Sequence, residues 1–106
     1  MWKIDRGSLS GTTAAAYAPA LDWKTHDLGA KTILLRNADA SSSLKYKLLG
    51  YAAGGGIARE LVSETALAPG ETAEFHYDRQ WHALALQVKD GSGHAAYAVD
   101  YEGQGV

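Results

Sequence analysis

Residues 44–52 have the sequence Leu-Lys-Tyr-Lys-Leu-Leu-Gly-Tyr-Ala, and this stretch indicates the fold class. Leu44, Tyr46 and Leu48 fall on one face of an extended chain, and the two lysines between them fall on the other face. Successive side chains of a strand point to opposite sides, so alternation with a period of two is typical of a strand with one buried face. The stretch therefore predicts a β-strand that covers a core with its apolar face.

The same alternation recurs along the chain at intervals of about 8–12 residues, the spacing typical of a sandwich or a barrel. Further strands are predicted at Lys31–Arg36, Glu71–Tyr77, Gln80–Lys89 and His94–Tyr101, with weaker signals at Thr12–Ala18, Leu21–Asp27 and Ile57–Ser63. Alanine is abundant and favours helices, but the apolar residues lack the spacing of an amphipathic helix. The sequence therefore predicts an all-β antiparallel β-sandwich of about seven or eight short strands, immunoglobulin-like or jelly-roll-like in strand order.

Segments rich in turn-forming residues separate the predicted strands. Pro69 and Gly70 stand where a type II turn places proline and a residue with positive φ. Residues 54–56 are three glycines and predict a hairpin tip, and residues 90–93 predict a second hairpin because Asp-Gly suits a primed turn. Residues 78–79 are expected to join two strands directly.

The length of 106 residues suits one domain. Residues 11–106 are predicted to form a single β-sandwich domain, and residues 1–10 an extended N-terminal arm. In this arm Trp2 and Ile4 alternate with charged residues, and glycine and serine follow. An extended arm of this kind can add a strand to the edge of a neighbour's sheet, so we expect it to bind a partner.

Charge and composition argue against several classes of protein. The net charge of −2 and the pI of about 6.0 provide no basic field, so we expect no nucleic-acid partner. The chain has no cysteine, which excludes disulfides, thiol catalysis and cysteine-ligated metals. No apolar run is long enough for a secretory signal or a membrane span. We therefore expect synthesis in the cytoplasm without a signal peptide, and no membrane partner.

The side chains that could support catalysis or bind a metal match no known motif. His76 and His82 lie on consecutive predicted strands, and with Asp78 between them they could approach a metal ion, but they lack the spacing of a metal motif. Asp100 and Glu102 share a strand face, and we expect a sandwich of this size to have little room for a catalytic cleft around them. The sequence therefore predicts that the protein is not an enzyme and has no catalytic residues, no cofactor and no bound metal.

The aromatic residues give the clearest indication of a partner interface. Trp81 is predicted to point away from the core face of its strand, beside Ala83 and Ala85, and aromatic side chains dominate interface energetics. The alternative is a central strand that is buried on both faces. The predicted partner-binding residues are Trp2, Ile4, Trp23, Trp81, Ala83 and Ala85.

Four segments carry a resemblance to a known group of proteins: Lys31–Asn37, Leu44–Tyr51, Leu67–Phe75 and Leu84–Lys89. This succession resembles the small immunoglobulin-like β-sandwiches of tailed-phage virion proteins and of some cell-surface proteins. The resemblance covers residues 12–102 and implies a structural or adhesive module without catalytic residues. The cysteine pair of antibody domains is absent from the chain.

The sequence thus predicts a non-enzymatic virion structural protein, specifically a phage capsid decoration or accessory protein. It would cement or coat a shell through its N-terminal arm and through a sheet face of aromatic and alanine residues. Its partners would be copies of itself or a capsid or other virion protein. The alternative is a carbohydrate- or cell-surface-binding β-sandwich module, which would present Trp23, Trp81 or Tyr51 to a glycan.

Overall fold

A computed structural model describes residues 3–54 and 56–105 of the chain. Within these residues the secondary structure consists of strands, as the alternation of apolar and polar residues predicts. In chain order, the strands are β1 (Lys3–Thr12), β2 (Ala18–Lys24), β3 (Lys31–Asn37), β4 (Leu44–Tyr51), β5 (Ala58–Leu67), β6 (Thr72–Tyr77), β7 (Ala83–Asp90) and β8 (Ala96–Gly105). No helix in the described ranges is long and apolar enough to cross a membrane.

The eight strands form two antiparallel four-stranded sheets that pack as a β-sandwich. Sheet A has the order β1-β8-β3-β6, and sheet B has the order β2-β7-β4-β5. Successive strands alternate between the sheets except at β4 and β5, which are neighbours in sheet B. An immunoglobulin sandwich places its first two strands in one sheet, so this strand order is that of an eight-stranded jelly roll. Of the two orders that the sequence left open, the structure therefore has the jelly-roll order.

The strand connections agree with two of the predicted turns and contradict two others. Gly70 has a φ of 79°, and the Glu71 amide donates to the Ala68 carbonyl over 3.0 Å, as in a type II turn. Residues 91–95, however, join β7 in sheet B to β8 in sheet A, so the predicted hairpin there is wrong. Residues 78–82 likewise cross between the sheets, whereas the glycine-rich residues 52–57 connect two paired strands.

The core lies between the two sheets, where the predicted apolar faces meet. Leu48, Leu84, Leu86 and Val99 have no exposed surface. Tyr97 and Tyr101 of β8 are partly buried and pack against this core. Removing such surface from water is the main favourable contribution to folding. The period-two alternation therefore identified the buried face of the central strands.

One charged side chain, Lys31, is also buried, with only 1% of its surface exposed. It lies at the start of β3 on the core-facing side. Its Nζ donates to the carbonyl oxygens of Leu28, Gly29 and Arg79. Burial lowers the pKa of the Lys31 ammonium, while Asp78 acts in the opposite direction. The lysine thus links the β2–β3 and β6–β7 connections at one end of the sandwich.

The structure differs from the predicted N-terminal arm, because residues 3–12 form a strand of the sandwich itself. β1 pairs with β8 from Lys3 opposite Gly105 to Thr12 opposite Ala96, without a register shift. A Cβ atom at Gly7 would lie 2.6 Å from the Tyr101 hydroxyl. Gly11 stands in the same relation to Tyr97. The glycines that suggested a flexible arm therefore make room for aromatic rings of the neighbouring strand.

Candidate protein interface

Trp23, a predicted partner-binding residue, belongs to the core. Its side chain is 5% exposed, and its ring centroid lies 4.9 Å from that of Tyr101. Its Nε1 donates to Asp5 Oδ2 over 2.9 Å, which connects β2 of sheet B to β1 of sheet A. The expectation that Trp23 is available to a partner is therefore wrong, because the ring is needed between the sheets.

Trp81 does not point outward from a strand as the sequence predicted. It lies in the connection before β7, where its side chain is partly buried and packs against the core. A Cβ atom at Gly50 would lie 2.9 Å from Trp81 Cε3 and 2.9 Å from Leu61 Cδ1, so the indole fills the space above that glycine. The Thr25 hydroxyl donates to the Trp81 carbonyl over 2.7 Å. These contacts fix Trp81 at the end of the core.

The remaining predicted residues lie on opposite sides of the sandwich. Ala83 and Ala85 lie on the outer face of sheet B, where Ala85 is 5% exposed and Ala83 is partly exposed. Ile4 lies on the outer face of sheet A and is 53% exposed. Trp2 lies outside the described residues. The structure therefore does not bring Ile4 and the two alanines together on one surface.

The four edge strands differ in how they meet solvent. An edge strand carries unpaired backbone N–H and C=O groups, which can pair with another chain unless a proline, a bulge, charges or a short length prevents it. β2 contains Pro19 and a register shift after it, and β5 has two register irregularities along its pairing with β4. β6 is six residues long. β1 has ten residues in regular register with β8 and contains neither proline nor bulge, and its charged residues are confined to its first four positions.

The side chains of β1 also suit a contact with another chain. Residues 7–12 are Gly-Ser-Leu-Ser-Gly-Thr, a run without charge. Leu9 is 42% exposed even though it lies on the inner side of the strand. The sequence-based prediction missed Leu9, although its position between two glycines four residues apart is a signal for an uncovered apolar side chain. The edge of β1 is therefore our candidate interface.

A shallow hollow of about 660 Å³ lies beside β1 on the outer face of sheet A. Arg6, Glu102, Thr32 and His76 form one row across its four strands. Thr32 Oγ1 lies 2.8 Å from His76 Nδ1. In the next row on this face, two residues further along β1, the Ser8 hydroxyl donates to Asp100 over 2.7 Å. The hollow thus presents both signs of charge.

The histidines do not come together as a metal site. His76 lies on the outer face of sheet A, whereas the ring of His82 stacks on that of His26 with centroids 5.5 Å apart. Across residues 3–54 and 56–105 no group of three potential ligands could hold a metal ion. The possible approach of His76 and His82 to one metal ion is therefore not found in the structure.

A cluster of lysines on the outer face of sheet B surrounds Tyr17 and Glu64. The Tyr17 hydroxyl donates to Glu64 over 2.7 Å, and Lys47 Nζ lies 4.4 Å from the centre of the Tyr17 ring. Lys89 approaches Glu64 within 3.3 Å. The hydrogen bond from Tyr17 is the main cause that lowers the pKa of Glu64. The pKa of Tyr17 is raised, first by burial and then by its hydrogen bond to Glu64. The cluster attaches the β1–β2 connection to sheet B.

Comparison with known proteins supports the fold. No protein-family model and no curated sequence matches the chain. A subunit of the disulfide-linked pili of Bacillus endospore appendages superposes with a TM-score of 0.60 at 15% identity, covering 96% of this chain and 87% of that one. The Yersinia pseudotuberculosis-derived mitogen gives 0.60 at 14% identity, with coverages of 92% and 84%.

Two proteins of viral origin show the same fold. The SPBc2 prophage-derived protein YomS has a TM-score of 0.55 at 9% identity and covers 94% of this chain and 95% of its own. A chain of the infectious bursal disease virus Gx strain has a TM-score of 0.51 at 8% identity, covering 98% of this chain but 31% of its own length. At such identities these similarities establish a shared β-sandwich fold and leave function to the surface of each protein.

Proposed function

We propose that this chain is a non-enzymatic structural protein of a virion, a phage capsid decoration or accessory protein, and that it binds its neighbours through the edge of β1. The observation that carries the proposal is the regular ten-residue edge of β1. Addition of a strand to such an edge is a recurrent mode of protein recognition, in which backbone hydrogen bonds give affinity.

The surface of β1 supports this proposal in two further ways. Ile4 and Leu9 are 53% and 42% exposed, so a partner at this edge would remove apolar surface from water on both sides of the strand. In a symmetric assembly each contact is repeated many times, and modest affinity at one site becomes strong attachment overall. The contact that the sequence predicted for an N-terminal arm is therefore proposed here for the edge of β1.

The fold is compatible with this role, since jelly rolls occur in viral capsids as well as in lectins. Similar folds occur in a pilus subunit, a prophage-derived protein and a virus, as described above. A glycan-binding module would stack sugars on exposed aromatic rings, yet Trp23 is buried and Trp81 packs against the core. These observations favour a structural role over the carbohydrate-binding alternative.

The test is the solution mass of the purified chain, measured by light scattering over a concentration series. We expect assembly above the monomer as concentration rises. Replacement of Leu9 by lysine places a charge on the β1 edge, which natural edge strands use to prevent pairing. Leu9→Lys should shift the assembly midpoint to at least tenfold higher concentration, about 1.4 kcal/mol of association free energy.

Ile57→Lys is the matched control, because Ile57 is also an exposed aliphatic residue, at 91%, but lies just before β5. Thermal melting of each variant establishes that it is folded, and Ile4→Lys serves as a second edge variant. Assembly of Leu9→Lys and Ile4→Lys at the wild-type midpoint would contradict the proposal. So would a wild-type chain that stays monomeric at every concentration.

A further inference from the structure

We infer that the partner at this edge is a second copy of the chain, whose β1 pairs antiparallel with this β1 around a twofold axis at Ser8. The inference rests on the proposed function and names the occupant of the same site. It would join two A sheets into one sheet of eight strands, with an isologous contact of the kind most common in homo-oligomers.

The geometry of antiparallel strands limits the possible registers. Residues directly opposite each other point to the same side of a sheet, and side chains alternate along a strand. At a twofold axis normal to the sheet, one residue must therefore stand directly opposite its own copy in the second chain. That residue is the centre of the register. The centres nearest the middle of β1 are Gly7, which pairs residues 3–11, and Ser8, which pairs residues 4–12, whereas Arg6 and Leu9 each leave three of the ten residues unpaired.

Pairing length, charge and packing distinguish these centres. An axis at Arg6 places two arginines directly opposite each other, and like charges in that position are destabilising. An axis at Gly7 places Leu9 opposite Asp5 of the second copy, whose carboxylate already accepts the bond from Trp23. Both registers leave an unfavourable pair at the centre of the contact.

An axis at Ser8 places Leu9 opposite Gly7 of the second copy. The space above Gly7 on this side is occupied by the ring of Tyr101, so Leu9 would meet an aromatic surface. Arg6 would then face Ser10, and Ile4 would face Thr12, so this register places no two like charges directly opposite each other. In this register the exposed Leu9 of each copy is covered by the other copy. This fit between Leu9 and the surface above Gly7 favours a second copy over an unrelated strand.

The chain has no cysteine, so single cysteines report this register without background. In Ser8→Cys the two introduced residues stand directly opposite, with Cα atoms about 4.5–5.5 Å apart, within the range of a disulfide. In Ser10→Cys they are offset by four residues, about 14 Å along the strands. Both serines are exposed and lie on the same face of β1, which makes Ser10→Cys the matched control.

After mild oxidation, intact mass spectrometry of each variant measures the fraction of covalent dimer. We expect at least tenfold more dimer for Ser8→Cys than for Ser10→Cys, and unchanged solution mass for both variants under reducing conditions. Equal dimer fractions would overturn the inference. If assembly is lost in Leu9→Lys while Ser8→Cys does not cross-link, β1 binds a different strand, and the proposed function stands without this partner.

Discussion

β1 and β2 lie on the same side of the sandwich, one at the edge of each sheet, and their edges are built differently. β2 contains Pro19, which has no N–H to donate, and its register with β7 shifts between Pro19 and Leu21. β1 keeps a regular register with β8 along all ten residues. The difference shows that this fold can protect an edge and does so at β2, directly beside an edge that stays open.

The two edges are nevertheless linked through the interior. The indole N–H of Trp23 in β2 donates to Asp5 in β1, and the ring of Trp23 packs on Tyr101 of β8. The open edge of β1 is thus fixed through the interior by Trp23 of the protected strand β2. A rigid edge loses less freedom when a partner binds, and this favours association.

The largest effect is expected when this link is removed. Trp23→Ala should lower the free energy of unfolding by about 3–5 kcal/mol, because it removes a buried ring and leaves a cavity between the sheets. Denaturant unfolding measures the change. Trp23→Phe is the control, since it keeps an aromatic ring and loses the bond to Asp5. A loss below about 1 kcal/mol for Trp23→Ala would show that the indole is not what joins the two edges.

A smaller effect is expected when the fit of β1 on β8 is altered. A Cβ at Gly7 would lie 2.6 Å from the Tyr101 hydroxyl, so Gly7→Ala should destabilise the fold by about 1–3 kcal/mol as the ring is displaced. Ser10→Ala changes the outer face of the same strand and should stay within about 0.5 kcal/mol of wild type. Thermal unfolding compares the two variants. An unchanged melting temperature for Gly7→Ala would mean that the ring moves freely.

The connection between the two edges should respond to acid. The Thr13 hydroxyl donates to Asp90 over 2.6 Å, and this bond, followed by the contact with His94, holds the pKa of Asp90 below its ordinary 3.8. A carboxyl with a lowered pKa stabilises the fold above its unfolded pKa and loses this contribution as the pH falls through its folded pKa.

We therefore expect wild type to lose more stability than Asp90→Asn between about pH 4 and pH 2. Thr13→Val, which removes the donor, should flatten the same part of the pH profile. Chemical unfolding at a series of pH values gives both curves. Parallel curves for the wild type and both variants would show that this carboxyl contributes nothing to the acid response.

The smallest effect is expected at the protected edge. Pro19→Ala should cost about 0.4–1 kcal/mol, mainly because the unfolded chain gains freedom. The register shift beside residue 19 remains in this variant, so its solution mass should match that of wild type. If Pro19→Ala associates more strongly than wild type, the proline alone protects β2, and the two edges differ by a single residue.

The sequence predicted the strands better than their partners. Period-two alternation identified the central strands and the core face that includes Leu84 and Leu86, because that alternation is a local property of a half-buried strand. The pairing of β1 with β8 could not be predicted in this way, since it depends on contacts between distant parts of the chain.

The candidate interface was predicted only in part. Binding of a partner by the first ten residues stays a prediction, with Ile4 of β1 exposed, whereas Trp23 and Trp81 proved to be packing residues. A tryptophan has the same appearance in sequence whether it faces a core or a partner. Its role depends on which strand lies opposite, and for Trp23 that is the distant β8.

The pairing of β1 with β8 also determines when the chain can associate. Lys3 pairs with Gly105, so β1 has no place in the sheet until β8 has been synthesised. Pairings between such distant residues form slowly, because the intervening chain must first be ordered. The open edge therefore exists only in a chain that has finished folding, and the proposed self-association has to wait until each subunit is complete through β8.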